Sequence, residues 1–462
     1  MNMRTKKRIR LILLITVMVV FPPVFQGGIA ISGEADLTCA ALSLQDAIDR
    51  ALEKNPGLAA ARHRVSASAE RIVQARSGFY PQVYVTEAWQ QTTNPMWAFG
   101  LKLNQGIITQ QDFDPALLND PSAIDNFNTL LWMNWPLFDS GQTWFGSLQA
   151  DLSHQAEAAS LSRTRQEIVS QTVAAYTNLV FAKESVAVVD QALNTAEAHH
   201  RQIENRYKSG LTVKSDLLRA QVHVSELEQQ RVEAESHYFI AQAVLCATMG
   251  EETPGDVAAV TPLVRKGIIE KSLDEWMDKA RNSRPDLVAL KFQEESARAE
   301  IKKTRAAHWP SVNLNGSYEV NSDDFDETAN NYTVGANVTL NLFSGNGMSA
   351  RHREALHRSN EIAESLRAVR QKIQLETREA YYQVRSAEKW ILAAEMSVDA
   401  AQEALRIVEN RYDNGQVPLV SLLDAEMTVI RARNNLNQAL KDHVQSRARL
   451  ALAAGELNES FE

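Results

Sequence analysis

Residues 204–210 read Glu204-Asn205-Arg206-Tyr207-Lys208-Ser209-Gly210 and lead into Asp216-Leu217-Leu218-Arg219-Ala220. After an offset of 205 the chain reads Glu409-Asn410-Arg411-Tyr412-Asp413-Asn414-Gly415, leading into Leu422-Leu423-Asp424-Ala425. The same offset carries Leu137-Phe138 onto Leu342-Phe343 and Gly250-Glu251 onto Gly455-Glu456. Towards the N terminus, Ser43-Leu44, Pro56, Leu58, Ala60, Pro81 and Val83 return as Ser272-Leu273, Pro285, Leu287, Ala289, Pro310 and Val312, at a constant offset of 229. The change of offset places 24 extra residues between Val83 and Leu137. An internal repeat decides an architecture before any single element does. The chain is a duplication.

Each copy reads as helix, strand, loop, strand, very long helix, turn and helix. Repeat 1 spans 43–250, with a helix at 43–80, strands at 82–90 and 127–138, and helices at 142–208 and 213–250. Repeat 2 spans 272–455, with a helix at 272–308, strands at 311–321 and 331–343, and helices at 347–413 and 419–455. Segments 31–42, 251–271 and 456–462 precede, join and follow the repeats.

The long helices carry a coiled-coil seam. Ala380, Val384, Ala387, Ile391, Ala394, Val398, Ala401, Leu405, Val408 and Tyr412 alternate at spacings of four and three, and Ala175, Leu179, Ala182, Val186, Val189, Leu193, Ala196, His200, Ile203 and Tyr207 repeat that register. This is the a/d pattern of a left-handed supercoil, and its alanines let helices approach closely. No Pro or Gly interrupts Ser147 to Ser209 or Met348 to Asn414. Such helices are roughly 95–100 Å long, more than a compact domain can use.

The strands alternate strictly. Val312, Leu314, Gly316, Tyr318 and Val320 interleave with Asn313, Asn315, Ser317, Glu319 and Asn321; Tyr332, Val334, Ala336, Val338, Leu340 and Leu342 interleave with Thr333, Gly335, Asn337, Thr339 and Asn341. Segments of about 10 residues with period two are the pattern of transmembrane β-strands. The first copy is noisier and carries Trp132 and Trp135, expected in an interfacial aromatic girdle. A lipid-facing sheet cannot leave edges open, and closed barrels start at about eight strands. One chain supplies four strands. Two copies make a barrel filled by side chains, whereas three enclose a lumen, so a channel of this kind needs three.

Composition narrows the function. The chain has 57 acidic against 48 basic residues, a net charge of −9, which excludes the basic footprint of a nucleic-acid-binding protein. Arg4, Lys6, Lys7, Arg8 and Arg10 precede the apolar run Leu11 to Phe21, and small residues follow up to Ala30. That is a signal peptide over 1–30, and its removal takes the charge to −14. The two cysteines, Cys39 and Cys246, exclude a cysteine-based metal centre; whether they pair stays open. No Walker A loop, paired GxGxxG, HExxH or nucleophile elbow is present, so no catalytic residue, cofactor or metal site is assigned. His200 falls on the coiled-coil seam and His352 and His357, five apart, do not share a helix face, so neither histidine pair is read as a metal site; Asp323, Asp324, Asp326 and Glu327 are read as an acidic loop between strands.

On these residues the chain resembles the outer-membrane efflux proteins of the TolC type. The likeness covers roughly Leu42 to Gly455 and rests on the duplication, Pro81 and Pro310, the turns Leu137-Phe138-Asp139-Ser140-Gly141 and Leu342-Phe343-Ser344-Gly345, and the paired tip motifs. The resemblance implies a mainly α fold with a transmembrane β section. It implies a homotrimer whose 12-stranded barrel in outer-membrane lipid continues into a periplasmic α-helical coiled-coil tunnel. The implied partners are a periplasmic adaptor and an inner-membrane pump, in efflux or type I secretion. Gly210 and Gly415, with Arg206 and Arg411, fall on adaptor-docking tips. Tyr412 and Asp424 fall on positions that close the periplasmic end, with Tyr207 and Asp216 as first-copy counterparts. Ser421 and Val417 stand where a second aspartate and a basic partner occur in the family, so fewer ionic links are expected. A structural periplasmic spacer or receptor anchored by a barrel is the alternative reading.

Overall fold

A computed structural model describes residues 40–251, 257–265, 267–324 and 327–457; the leader over 1–30, Cys39 and Asp326 lie outside the described residues. A short strand β1 (Ala40–Leu42) leads to helices α1 (Leu44–Lys54) and α2 (Pro56–Arg76). Strand β2 (Gln82–Thr92), helices α3 (Pro95–Gln105) and α4 (Pro115–Asn119) and strand β3 (Ile124–Phe138) follow. Helices α5 (Gln142–Lys208) and α6 (Lys214–Met249) complete the first copy, and β4 (Val257–Ala259) lies between the copies. The second copy comprises α7 (Leu273–Ser283), α8 (Pro285–Ala306), β5 (Ser311–Ser322), β6 (Ala329–Thr339), α9 (Gly347–Asp413) and α10 (Leu419–Ala454). The two long helices have 67 residues each and their returning partners 36 each, so the duplication holds to the residue.

The helices expected at 43–80 and 272–308 are each divided in two. Pro56 and Pro285 sit at the first position of α2 and α8, and the residue before a proline is driven out of the helical region. Asn55 and Arg284 are accordingly extended, with ψ of 121° in both. Capping boxes set the starts of α1 and α7, Ser43 with Asp46 and Ser272 with Glu275.

Each break is where a returning helix lands. Asn55 Nδ2 donates to the Thr248 carbonyl at 2.8 Å, and the equivalent Arg284 Nη1 donates to the Ala453 carbonyl at 3.3 Å. Arg284, 3% exposed, is held by Asp286 and Glu376 at 2.6 Å each. Thus α5 is flanked by α2 and α6, which meet end to end beside it. Helix α8 packs on both α5 and α9, and α10 on both α9 and α5, so the copies interleave. The largest buried cluster lies at this equator and includes Leu42, Ile48, Val173, Tyr176, Leu179, Leu245, Cys246, Met249, Val257 and Val444. Tyr176 Oη donates to the Leu42 carbonyl at 2.8 Å and accepts from the Val260 and Thr261 amides at 3.1 and 2.9 Å. One buried hydroxyl thereby ties the long helix to the parallel β1–β4 pair.

The larger sheet is antiparallel in the order β2-β3-β5-β6, with β3–β5 joining the copies. Pairing register sorts its faces. Thr86, Asn128, Asn134, Asn315, Ser317, Thr333 and Asn337 share one face; Val83, Val85, Leu131, Met133, Leu314, Tyr318, Val334 and Val338 share the other, which also carries Glu87, accepting the Thr129 hydroxyl, and, towards the far end, Gln91 and Asp125. A polar face and an exposed apolar face are what a barrel between lumen and lipid requires. Trp135 lies on the apolar face near the helical end, its Nε1 donating to the Phe79 carbonyl at 3.0 Å. Trp132 differs from the girdle expectation: it is on the polar face, stacked on Tyr84 with ring centroids 4.4 Å apart. Residue parity, which the irregular first-copy pattern conceals, decides this.

The extra first-copy residues are ordered. Asn94 caps α3, and Gln105 at its end donates to the Asp125 carbonyl at 2.7 Å and to Asn126 Oδ1 at 2.8 Å. Asn126 and Asn128 each donate to Asn321 Oδ1 at 3.0 Å. Helix α3 therefore lies across the polar face at the far end of the sheet. Strand β6 stops at Thr339, short of the expected 343. Among the described residues no helix is long and apolar enough to cross a membrane.

Gly250 and Gly455 cap α6 and α10 with φ of +83° and +74°, and a Cβ there would stand 2.5 Å from the Lys54 carbonyl oxygen and 2.9 Å from Arg284 Cα. Gly250→Ala and Gly455→Ala are expected to cost about 3 kcal/mol each, from the left-handed conformation plus overpacking. Gly415→Ala, at φ +70° in open space, is expected to cost only about 1–2 kcal/mol. Thermal denaturation of the three variants checks the order.

Candidate functional site at the helix tips

The α5–α6 and α9–α10 turns are built alike. The Gly210 and Leu211 amides donate to the carbonyls of Tyr207 and Arg206 at 2.9 and 2.8 Å; those of Gly415 and Gln416 donate to Tyr412 and Arg411 at the same distances. These are Schellman closures, with glycine in the left-handed position. No atom lies within 4 Å of a Cβ built on Gly210 or Gly415, so both tips present open backbone. Leu211 and Val213 beside Gly210 are exposed.

Behind the tips the two hairpins share one core. Ile203, Ala220, Leu419 and Leu422 are buried together, flanked by Leu217, Leu405, Val408, Tyr412 and Leu423. The copies differ here. Tyr412 is partly buried in this cluster, whereas Tyr207, its repeat equivalent, is exposed. Burial pushes the Tyr412 hydroxyl above the ordinary tyrosine range, against the opposing pull of Arg206.

Arg206 is a cross-link as well as a tip residue. Its Nη2 lies 3.2 Å from Asp413 Oδ1 and its guanidinium 5.4 Å from the Tyr412 ring centre. Gln202 donates to the same Asp413 oxygen at 3.3 Å. One ion pair and one cation–π contact thus join α5 to the end of α9. Arg411 is exposed.

The sequence-predicted carboxylates are not brought together. Asp424 is exposed on α10, and its carbonyl accepts the Thr428 hydroxyl at 2.7 Å. Asp216 accepts the Thr212 hydroxyl at 3.2 Å, fastening the start of α6. At the repeat offset Asp216 matches Ser421 and Asp424 matches Arg219, so Asp216 is not the positional counterpart of Asp424.

Sequence reasoning missed a third group. Glu426 on α10 is buried, with Oε1 2.7 Å from His199 Nδ1 on α5 and Oε2 3.2 Å from His223 Nε2 on α6. Burial pushes the Glu426 carboxyl up, but the close approach of His199 and the hydrogen bond with His223 more than reverse this and leave it below the usual range. The Glu426 carboxylate beside it raises His199, against burial. The signal was in the sequence. Leu419, Leu422, Glu426 and Val429 keep seam spacing, as do Ala220, His223 and Leu227. A charged residue at a seam position announces a buried partner. Among the described residues no group of three or more His, Cys, Asp or Glu is arranged to hold a metal ion.

A sequence model described as outer membrane efflux protein matches residues 47–251 and 276–456. The chain belongs to the outer membrane efflux protein family. It is 24% identical over 435 residues to the alkaline protease secretion protein AprF of Pseudomonas aeruginosa, covering 91% of this chain and 86% of that relative. It is 23% identical over 426 residues to the outer membrane protein TolC of Vibrio cholerae, covering 90% and 91%. The Campylobacter jejuni CmeC outer membrane channel has the same fold, with a TM-score of 0.77 at 18% identity over 91% of this chain and 87% of that one. Members of the family are outer-membrane exit ducts with a periplasmic extension; they form trimers and work with adaptors and inner-membrane pumps.

Double-mutant analysis of this efflux-family chain with Arg206→Ala and Asp413→Asn is expected to give a coupling of about 0.5–1 kcal/mol in urea unfolding. Additive effects would mean that this contact does not join the hairpins.

Proposed function

We propose that three copies of this chain form a passive outer-membrane duct that is shut at its helix tips and opened by a periplasmic adaptor working with an inner-membrane pump. The observation that carries this reading is a sheet with one polar and one apolar face, ending in β2 and β6, continuous with helix pairs far longer than any compact domain needs. Three such sheets, joined β6 to β2, close a wall in lipid with no backbone edge exposed. The names of AprF and TolC support a role in export.

Within that reading, Gly210 and Gly415 are the docking points, because open backbone at a left-handed turn admits another helix closely. Arg206 acts from the closed side by holding Asp413 and Tyr412. Asp424, exposed on α10, supplies one carboxylate per copy to the constriction. In a trimer the three carboxylates face each other, attract cations and repel anions.

Bilayer recordings of the purified full-length protein test the duct. Discrete channels with cation-directed reversal potentials are expected, and anion preference would contradict the acidic constriction. Asp424→Ala is expected to raise the closed-state conductance about two- to fivefold and to weaken cation preference. Unchanged values would remove Asp424 from the gate.

A further inference from the structure

The buried carboxylate behind the tips has no role in the duct as described so far. Glu426 is 6% exposed and His223 5% exposed, and the pair lies where α5, α6 and α10 meet. His199 lies roughly 15 Å along α5 from the tip turn. The site is therefore inside the hairpin bundle, and each carboxylate oxygen is directed at a different first-copy helix. An ionised carboxylate at such a depth is costly unless a positive partner accompanies it. With both imidazoles neutral, the pocket encloses an unbalanced anion. With one imidazolium, it encloses a neutral, hydrogen-bonded pair.

We propose that Glu426, His199 and His223 form a proton-operated latch that holds the second-copy hairpin against the first-copy hairpin and keeps the duct closed until His199 loses its proton. The inference rests on the duct reading and assigns Glu426 as a positioning residue for the gate. It differs from the Arg206–Asp413 contact in depth and in its response to pH, since an arginine keeps its charge throughout.

The surroundings reinforce this response. From α9, Glu409 and Asp413 add negative potential at His199, which favours its protonated form. From α6 the titratable group facing Glu426 is His223 itself. On α10, Arg433 is two turns beyond Glu426 and bonded to Gln191 Oε1 of α5 at 2.6 Å, so its charge is directed to that amide. On α5, His200 interacts electrostatically with Glu204, one turn further along the helix. His199, whose protonation is favoured in the closed form, contributes closing free energy that is full below the ordinary histidine pKa and lost as pH rises through the raised value. Glu426, held below the usual range, keeps its contribution until pH falls through that lowered value. The latch is therefore strongest in mild acid and weakest in alkali.

Single-channel recording of the full-length protein without partners, stepped from about pH 5.5 to about 8.5 across the histidine range, tests the latch. Open probability of the unmodified protein is expected to rise roughly tenfold with pH, the size of one charge-assisted hydrogen bond. Glu426→Gln keeps the shape of the side chain and is expected to be leaky at every pH, with a flat profile. His199→Gln is expected to reduce the slope, and it serves if Glu426→Gln does not assemble. A flat profile in the unmodified protein, or an unaltered slope in these variants, overturns the latch while leaving the duct intact. Absence of channels from the unmodified protein at any pH overturns the duct reading, and the latch with it.

Discussion

Unpaired peptide groups cannot stand in hydrocarbon, and within this chain the sheet ends at β2 on one side and β6 on the other. Everything else in the architecture accommodates that fact. Pooling sheets between copies removes both edges at once. It also fixes the sense of the faces, because the asparagines, serines and threonines of one face then share an interior with their counterparts. The helices inherit the geometry. Each strand that leaves the sheet enters a long helix, β3 into α5 and β6 into α9, so a wall of strands becomes a wall of helices.

A wall of this length needs a way to remain one body. Each long helix is backed by two shorter ones that meet end to end, and such a joint is a natural weak point. The structure strengthens it in both copies by the same means: a helix break before proline, a side chain at the break donating to a carbonyl near the end of the arriving helix, and a glycine that lets the backbones touch. Asn55 does this with a neutral amide; Arg284 does it with a buried guanidinium that recruits Asp286 and Glu376. The buried Tyr176 hydroxyl and the large apolar cluster lie at the same level. The equator is consequently the most heavily cross-linked level of the molecule.

Much of this was legible in the residues. The repeat offsets and the seam spacing expose the duplication and the long helices, and period-two alternation exposes β5 and β6. The helix breaks were legible too, since Pro56 and Pro285 mark them. What the one-dimensional pattern conceals is parity and partnership. Trp132 belongs to the polar face because of its register opposite Tyr84 and Ser317, which only the pairing reveals. Tyr207 and Tyr412 are interchangeable in sequence, yet only Tyr412 enters the shared core, because the two hairpins pack asymmetrically. The His–Glu–His cluster draws on three helices that lie far apart in the chain, so no local motif contains it.

On the proposed reading the tips combine two kinds of closure with different physics. The Arg206 contact is partly exposed, with side-chain exposures of 30% for Arg206 and 60% for Asp413, and salt screens it. Glu426 and its histidines are shielded from salt by burial, and their strength follows proton activity instead. On that reading, an adaptor docking on open backbone at Gly210 or Gly415 displaces surface contacts directly, but it does not reach the buried cluster without first separating the hairpins. The surface pair is therefore suited to fast, local release. The buried cluster sets how much work the whole hairpin movement requires, and that work falls as the compartment becomes more alkaline.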